Sequence, residues 1–295
     1  MRAVTWKTND NPKLVQAPEA DPAQLQQFVE RYPKLFVITG AGISRDSGIP
    51  TYRDEVGNWK TNTPIQHGDF LQLSGTRQRY WARSFGGWPN VGNARPNRAH
   101  RALARLESLG YVNTLVTQNV DRLHQKAGHK RVIDLHGRLD QVVCMDCGAL
   151  TPRDEIQHWL WQQNPHMEDI RVELAPDGDA HVADELISEV QVPACFRCDG
   201  LLKPNVVFYG GSVDKEIVNY LYSKVLEADA VLVVGTSLMV YSSFRFCRLA
   251  ADKGIPIAAV NQGLTRADEL LQLKVSQDCG TVLGTLADQL TQRTP

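Results

Sequence analysis

The sequence predicts an α/β fold: a parallel sheet wound on both faces, with an extra module inserted mid-chain. Three observations predict it. Apolar runs such as Leu35-Phe36-Val37-Ile38-Thr39 and Ala230-Val231-Leu232-Val233-Val234 have the length and composition of buried strands. Each run stops at small polar or glycine residues, and helical periods lie between runs. Two C-x2-C pairs, Cys144/Cys147 and Cys195/Cys198, stand together in the middle of the chain.

Asp21-Pro22 caps and starts a first helix with Leu25, Phe28 and Val29 on one face. The first strand then runs into Gly40-Ala41-Gly42-Ile43-Ser44. Closely spaced glycines let backbone approach a diphosphate, and amides at a helix start can face its charge. The spacing differs from the dinucleotide fingerprint G-x-G-x-x-G, because Arg45 stands where the third glycine belongs. From Tyr52 to Pro96 there is no strand period; Trp59, Phe70, Tyr80, Trp81, Phe85 and Trp88 suggest helices and loops covering the glycine turn.

Asn97 to Leu109 reads as a helix ending at Gly110, and Tyr111 to Thr117 as a second strand that ends in Gln118-Asn119-Val120-Asp121. Leu135-His136-Gly137 and the cysteine pairs follow, separated by an acidic stretch from Glu168 to Glu189. Strand character resumes over Asn205 to Tyr209, and Asp214 to Leu226 is helical. The last strands end in Gly235-Thr236-Ser237 and Asn261-Gln262-Gly263. In such sheets ligands bind beyond the carboxyl ends of the strands, so these loops should converge on one site.

Composition narrows the function. The 295 residues carry 32 basic and 33 acidic side chains, which argues against nucleic-acid binding through bulk charge. No apolar run has the length of a membrane span, and the first residues lack a signal-peptide core, so a cytoplasmic protein is expected. Reduced cysteines in pairs then suggest metal before disulfide. Four thiolates saturate tetrahedral zinc and leave no open position, so the zinc should be structural. Buried thiols and a redox C-x-x-C are the alternatives.

His136 has the chemistry of a general base near neutral pH, although a hydrogen-bonded core histidine fits the same position. Asn119 and Asp121 could hold a carboxamide or ribose hydroxyls, or Asp121 could cap the helix that follows. Tyr80 and Arg83 share a helical face and could bind a carboxylate, with a solvated arginine as the plainer reading. Cys247 and Cys279 read as small core residues.

As an ordered set, these stretches resemble the sirtuin family of NAD-dependent protein-lysine deacylases. The set comprises Gly40-Ala41-Gly42-Ile43-Ser44 with Gly48-Ile49-Pro50, Thr117 to Asp121, Leu135-His136-Gly137 and the cysteine pairs. It continues with Lys203-Pro204-Asn205-Val206-Val207-Phe208, Gly235-Thr236-Ser237-Leu238 and Val260-Asn261. Arg77 to Arg83, Gly87-Trp88-Pro89 and Ala175-Pro176-Asp177-Gly178-Asp179 look like the mitochondrial-type branch.

The resemblance implies a Rossmann-like NAD-binding domain over residues 22–51, 99–137 and 205–290. A helical module with the cofactor loop (52–98) and a zinc module (138–204) would make the smaller domain. Gly40, Ala41, Gly42, Ser44, Pro50, Tyr52 and Arg53 would line or cover the diphosphate. Gln118, Asn119, Val120 and Asp121 would contact the nicotinamide half, with Asn119 also catalytic. Gly235, Thr236, Ser237, Asn261, Gln262, Gly263 and Cys279 would surround the adenosine half. Val207, Phe208, Tyr209 and Val240 would receive the acyl-lysine peptide. NAD would be consumed, with His136 as base, giving nicotinamide and O-acyl-ADP-ribose.

Thr51-Tyr52-Arg53-Asp54, Tyr209-Gly210-Gly211 and Arg138 depart from the common family pattern, close to the expected acyl and peptide sites. Together with Tyr80 and Arg83 they suggest longer or acidic acyl groups over acetyl. The same NAD site also allows mono-ADP-ribosyl transfer to protein. A monomer acting on acyl-lysine proteins or peptides is expected.

Overall fold

The computed structural model describes residues 17–51, 64–167 and 187–293. Tyr52, Arg53, Trp59 and the insert around Ala175 to Asp179 lie outside the described residues.

Helix α1 (Pro22–Arg31) begins at a capping box in which Asp21 and Gln24 satisfy each other's backbone amides. Its buried face carries Leu25, Phe28 and Val29. Strand β1 (Leu35–Thr39) is buried at every residue, as its unbroken apolar run requires. It leads into a 3-10 turn, Ala41–Ser47, closed by left-handed Gly48. Helices α2 (His67–Gln72) and α3 (Ser74–Asn93) form the helical module. Helix α4 (Arg98–Ser108), capped by Asn97, precedes β2 (Val112–Thr117), a short α5 (Leu123–Lys126) and β3 (Val132–Asp134).

Three further strands, β4 (Gly137–Cys144), β5 (Leu150–Pro152) and β6 (Leu202–Val206), make a separate antiparallel sheet of order β5-β4-β6. Helix α6 (Arg153–Gln163) packs on it. The strand expected over Asn205 to Tyr209 therefore begins three residues earlier and belongs to this small sheet. Val207 to Tyr209 leave the ladder and line a cavity instead.

The chain returns to the large sheet through α7 (Lys215–Leu226), β7 (Ala230–Val234), α8 (Tyr241–Asp252), β8 (Ile257–Val260), β9 (Leu273–Val275) and α9 (Cys279–Arg293). The sheet order is β3-β2-β1-β7-β8-β9, and every neighbouring pair is parallel. Alternate residues of β1 serve opposite cores. Leu35 and Val37 face α1, α4 and α9, whereas Phe36 and Ile38 face α7 and α8. A third core joins Trp81 and Phe85 of α3 to Ile156 and Leu160 of α6. Across that junction the buried Arg153 donates to the Ser84 carbonyl and hydroxyl oxygens at 3.0 Å, under the rings of Trp81 and Trp88.

Candidate active site

The order of the large sheet reverses between β1 and β7, and at such a point the loops leaving the two strands part to opposite faces. The gap opens into a cavity of about 710 Å³. Its walls include Ala41 and Gly42 after β1, Gln118 to Val120 after β2, His136 after β3, Gly235 to Ser237 after β7 and Asn261 to Gly263 after β8. The expected convergence of strand ends is therefore present in one space.

Close backbone contact makes the glycine turn. The Gly42 amide donates to the Gly235 carbonyl at 2.8 Å. A Cβ on Gly42 would lie 2.7 Å from that oxygen, and one on Gly235 would lie 2.5 Å from the Ile43 nitrogen. Only glycine at both positions lets the first and seventh strands' loops touch. Gly40 does not line the cavity; its carbonyl accepts from the Asn119 amide at 3.1 Å.

A polar network ties the strand ends together. Asn119 Nδ2 also donates to Ser44 Oγ at 3.0 Å, and that hydroxyl donates to Asp121 Oδ2 at 2.7 Å. Asp121 Oδ1 accepts from the Leu123 amide in the first turn of α5, whose N-cap position is Arg122, and burial raises the Asp121 pKa. Asn119 lines the cavity; Ser44 and Asp121 lie behind it. Gln118 Nε2 donates to Thr236 Oγ1 at 2.8 Å.

His136 sits at the end of this network. Its Nδ1 lies 3.1 Å from the Gln118 carbonyl oxygen. A carbonyl only accepts, so Nδ1 carries the proton and Nε2 holds the free lone pair. Nε2 lies 2.8 Å from Ser242 Oγ, at the start of α8. Burial lowers the His136 pKa, so the ring is neutral and able to accept a proton at physiological pH. Gly137 fixes the turn, with φ at +82° and no space for a Cβ against the Asn205 carbonyl. Ser242 escaped the sequence reading because a serine opening a helix reads as an N-cap.

Tyr80, Val207, Phe208, Tyr209 and Val240 line the cavity, as does Cys279 at its other end. Tyr80 is buried edge-on against Phe70 and Phe208. Arg83 and Pro50 do not line the cavity, so Tyr80 and Arg83 are not brought together on its wall.

The four paired cysteines converge, with their Sγ atoms all within 4.8 Å of one another. Two Sγ–Sγ separations are 3.6 and 3.8 Å. A tetrahedron of Zn–S bonds of about 2.3 Å needs sulfurs about 3.8 Å apart. Backbone amides of Cys147 and Arg197 point at the sulfurs of Cys144 and Cys195, as thiolate ligands require. The donor set fits zinc.

A Sir2 family model matches residues 40–242, which takes in the glycine turn, His136, all four cysteines and the start of α8. The chain belongs to the Sir2 family. As a sirtuin it is an enzyme of the NAD-dependent protein deacetylase class. It is 55% identical to NAD-dependent protein deacetylase 2 of Bradyrhizobium diazoefficiens, over 89% of this chain and 96% of the relative. It is 48% identical to the human mitochondrial NAD-dependent protein lipoamidase sirtuin-4, over 90% of this chain and 87% of the relative. The solved structure of a Sir2 homologue–NAD complex superposes with a TM-score of 0.71 at 27% identity, covering 94% of this chain and 96% of that one. A Sir2–p53 peptide–NAD+ structure gives a TM-score of 0.71 at 26% identity, over 92% and 98%.

The sirtuin cavity fits NAD on its own features. Glycine backbone from two adjacent strands forms its floor, Arg45 supplies a cation beside the glycine turn, and polar side chains from other strand ends complete the wall. Among the described residues no helix is long and apolar enough to cross a membrane.

Proposed function

We propose that this sirtuin is a protein-lysine deacylase in which His136 is the general base and which favours long acyl groups over acetyl. The observation that carries the reading is the tautomer of His136: the Gln118 carbonyl holds the proton on Nδ1 and leaves Nε2 basic at the cavity wall. NAD, when bound, supplies an electrophilic ribose carbon and nicotinamide as leaving group. Ala41, Gly42 and Arg45 would hold its diphosphate, Gln118 to Val120 its nicotinamide half, with Asp121 steadying Ser44 from behind the wall, and Gly235 to Ser237 with Asn261 to Gly263 and Cys279 its adenosine half. Asn119, fixed by Gly40 and Ser44, orients the reacting ribose. His136 Nε2 takes a ribose hydroxyl proton, and its imidazolium is held by the Gln118 carbonyl. Cys144, Cys147, Cys195 and Cys198 hold one structural zinc.

The acyl-lysine enters between Val207 to Tyr209 and Val240, as an added strand. Ile65, Tyr80, Leu139, Val206 and Phe208 give that part of the cavity an apolar wall suited to a long chain. Arg83 is not among the described residues of this wall, and the succinyl and glutaryl peptides below test the acidic half of the acyl expectation. Likeness to a lipoamidase points to the long chain, and the relatives' names favour deacylation over ADP-ribosyl transfer.

The test is a mass-spectrometric assay of one lysine peptide carrying acetyl, lipoyl, fatty, succinyl or glutaryl groups, with NAD. The expected result is NAD-dependent acyl loss with matching O-acyl-ADP-ribose, faster for the lipoyl and fatty peptides than for acetyl. Equal or faster removal of acetyl would overturn the acyl preference. Full activity in His136→Ala would overturn the base assignment.

A further inference from the structure

The cavity has a second charged feature that the chemistry above leaves unused. Its lining includes exposed Ser212, Lys215 and Tyr241, with half-buried Val240 and Arg245; Lys215 opens α7 and Arg245 lies on α8. Arg245 packs its guanidinium over the exposed Tyr241 ring, 5.2 Å from the centroid. Arg266 approaches the same ring at 5.8 Å and the Phe244 ring at 4.6 Å, and it donates to the Met239 carbonyl at 3.3 Å. Arg248, exposed one turn along α8, extends the patch. Burial, and after it the charge of Arg248, lowers the pKa of Arg266.

Among the described residues Lys215, Arg245 and Arg248 have no carboxylate within salt-bridge distance, and Arg245 Nε has no hydrogen-bond partner. Two carboxylates adjoin Lys215 in sequence: Asp214 is occupied in capping α7 through the Glu216 and Ile217 amides, and Glu216 is not within salt-bridge distance of these cations. Of the charged groups on the cavity wall, Arg45 and Asp278 lie with the glycine turn and Cys279, at the NAD end. Like charges gathered on one aromatic ring repel one another and are stabilised when an anion joins them.

We propose that Lys215, Arg245, Arg248 and Arg266 form a subsite for acidic side chains of the substrate polypeptide, so that this enzyme selects acyl-lysines flanked by Asp or Glu. The inference rests on the deacylase reading. Arg266 braces Met239, beside the Val240 expected to pair with the substrate backbone, so the cations lie alongside residues that neighbour the acyl-lysine. They steer such a segment in and fix its register, while the acyl group is read deeper in the cavity.

The test uses three fluorescent lipoyl-lysine peptides that differ only in their flanks, with Glu, Gln or Lys on both sides. Affinity is read by anisotropy at low and moderate salt, and KM by nicotinamide release. The Glu peptide should bind about tenfold more tightly than the Lys peptide at low salt, with the ratio shrinking as salt rises. Arg245→Gln/Arg248→Gln, which keeps most of the packing of the aliphatic stems, should abolish the ratio. Arg248→Glu alone should turn it toward the Lys peptide. Equal affinity for the three peptides in the unaltered enzyme, or an unchanged ratio in the double variant, would overturn the subsite while leaving deacylation intact. Binding of none of the three would overturn the deacylase reading and this one with it.

Discussion

His136 Nε2 and Ser242 Oγ stand 2.8 Å apart, across a sequence separation of 106 residues. Because the Gln118 carbonyl already takes the Nδ1 proton, the serine hydroxyl is the donor while the ring is neutral. Once Nε2 gains a proton the same hydroxyl can turn and accept it. Hydrogen bonds to charged groups are worth about 1.5–3 kcal/mol. Ser242→Ala should therefore lower kcat for deacylation by about ten- to hundredfold, with Ser242→Thr restoring most of it. Exchange of labelled nicotinamide, which precedes the base step, should persist. In the unaltered enzyme the acid limb of kcat/KM should fall below pH 6.5, because burial lowers the His136 pKa; in Ser242→Ala it should move lower still. An unchanged limb and rate would exclude the role.

Zinc should be found at one equivalent by mass spectrometry under native conditions. Cys195→Ser should lose it and loosen the third core, where Cys144 and Cys195 pack with Trp81, Ile156 and Leu160. The expected readouts are a fall in melting temperature and increased dye binding to exposed apolar surface. Retention of both zinc and melting temperature would count against a structural site.

Gly42→Ala places a methyl 2.7 Å from the Gly235 carbonyl oxygen, which is backbone and cannot rotate away. The expected cost is about 1–3 kcal/mol of stability, together with weaker NAD binding in a calorimetric titration. Gly68→Ala, where a Cβ meets nothing within 4 Å, is the control and should bind NAD normally.

Acid should destabilise the fold through histidines beneath the glycine turn. His124 Nε2 bonds Thr39 Oγ1 at 2.9 Å, and its ring lies 4.8 Å from that of His100. Burial, with the charge of Arg101, lowers the His100 pKa from 6.5 to about 4, and burial also drives that of His124 well below 6.5. The unfolded chain takes up these protons first, so stability is complete above pH 6.5 and declines below it. For His100 alone the loss is about 3 kcal/mol by pH 4. Melting temperature should be flat from pH 8 to 6.5 and then fall; no fall down to pH 4.5 would contradict the buried neutral rings.

What the sequence showed follows from burial on both faces. β1 and β7 are apolar without a break because helices cover each side of the sheet, and their boundaries are plain in the chain. The small sheet was hidden because β4 is only half-buried at most positions and its ladder with β6 slips between Gly137 and Val142. β9 was hidden by its own centre, Lys274, a charge tolerated there because Asp268 pairs with it at 2.9 Å in the interior. At the site, strand-end residues could be read because each closes an apolar run. Ser242 and the arginines of α8 could not, since their meaning lies in contacts with residues distant in the chain.

The adjacency of β1 and β7 also governs the order in which this enzyme comes into being. Residues 35–39 leave the ribosome long before residues 230–234 exist to pair with them. Throughout that interval one edge of the central strand is bare, and the Gly42 amide has no carbonyl to receive it. A nascent chain carrying its cysteine pairs and His136 would still lack half of its nucleotide floor. Competence to bind NAD would arrive late in synthesis, once residues 230–234 have paired with β1.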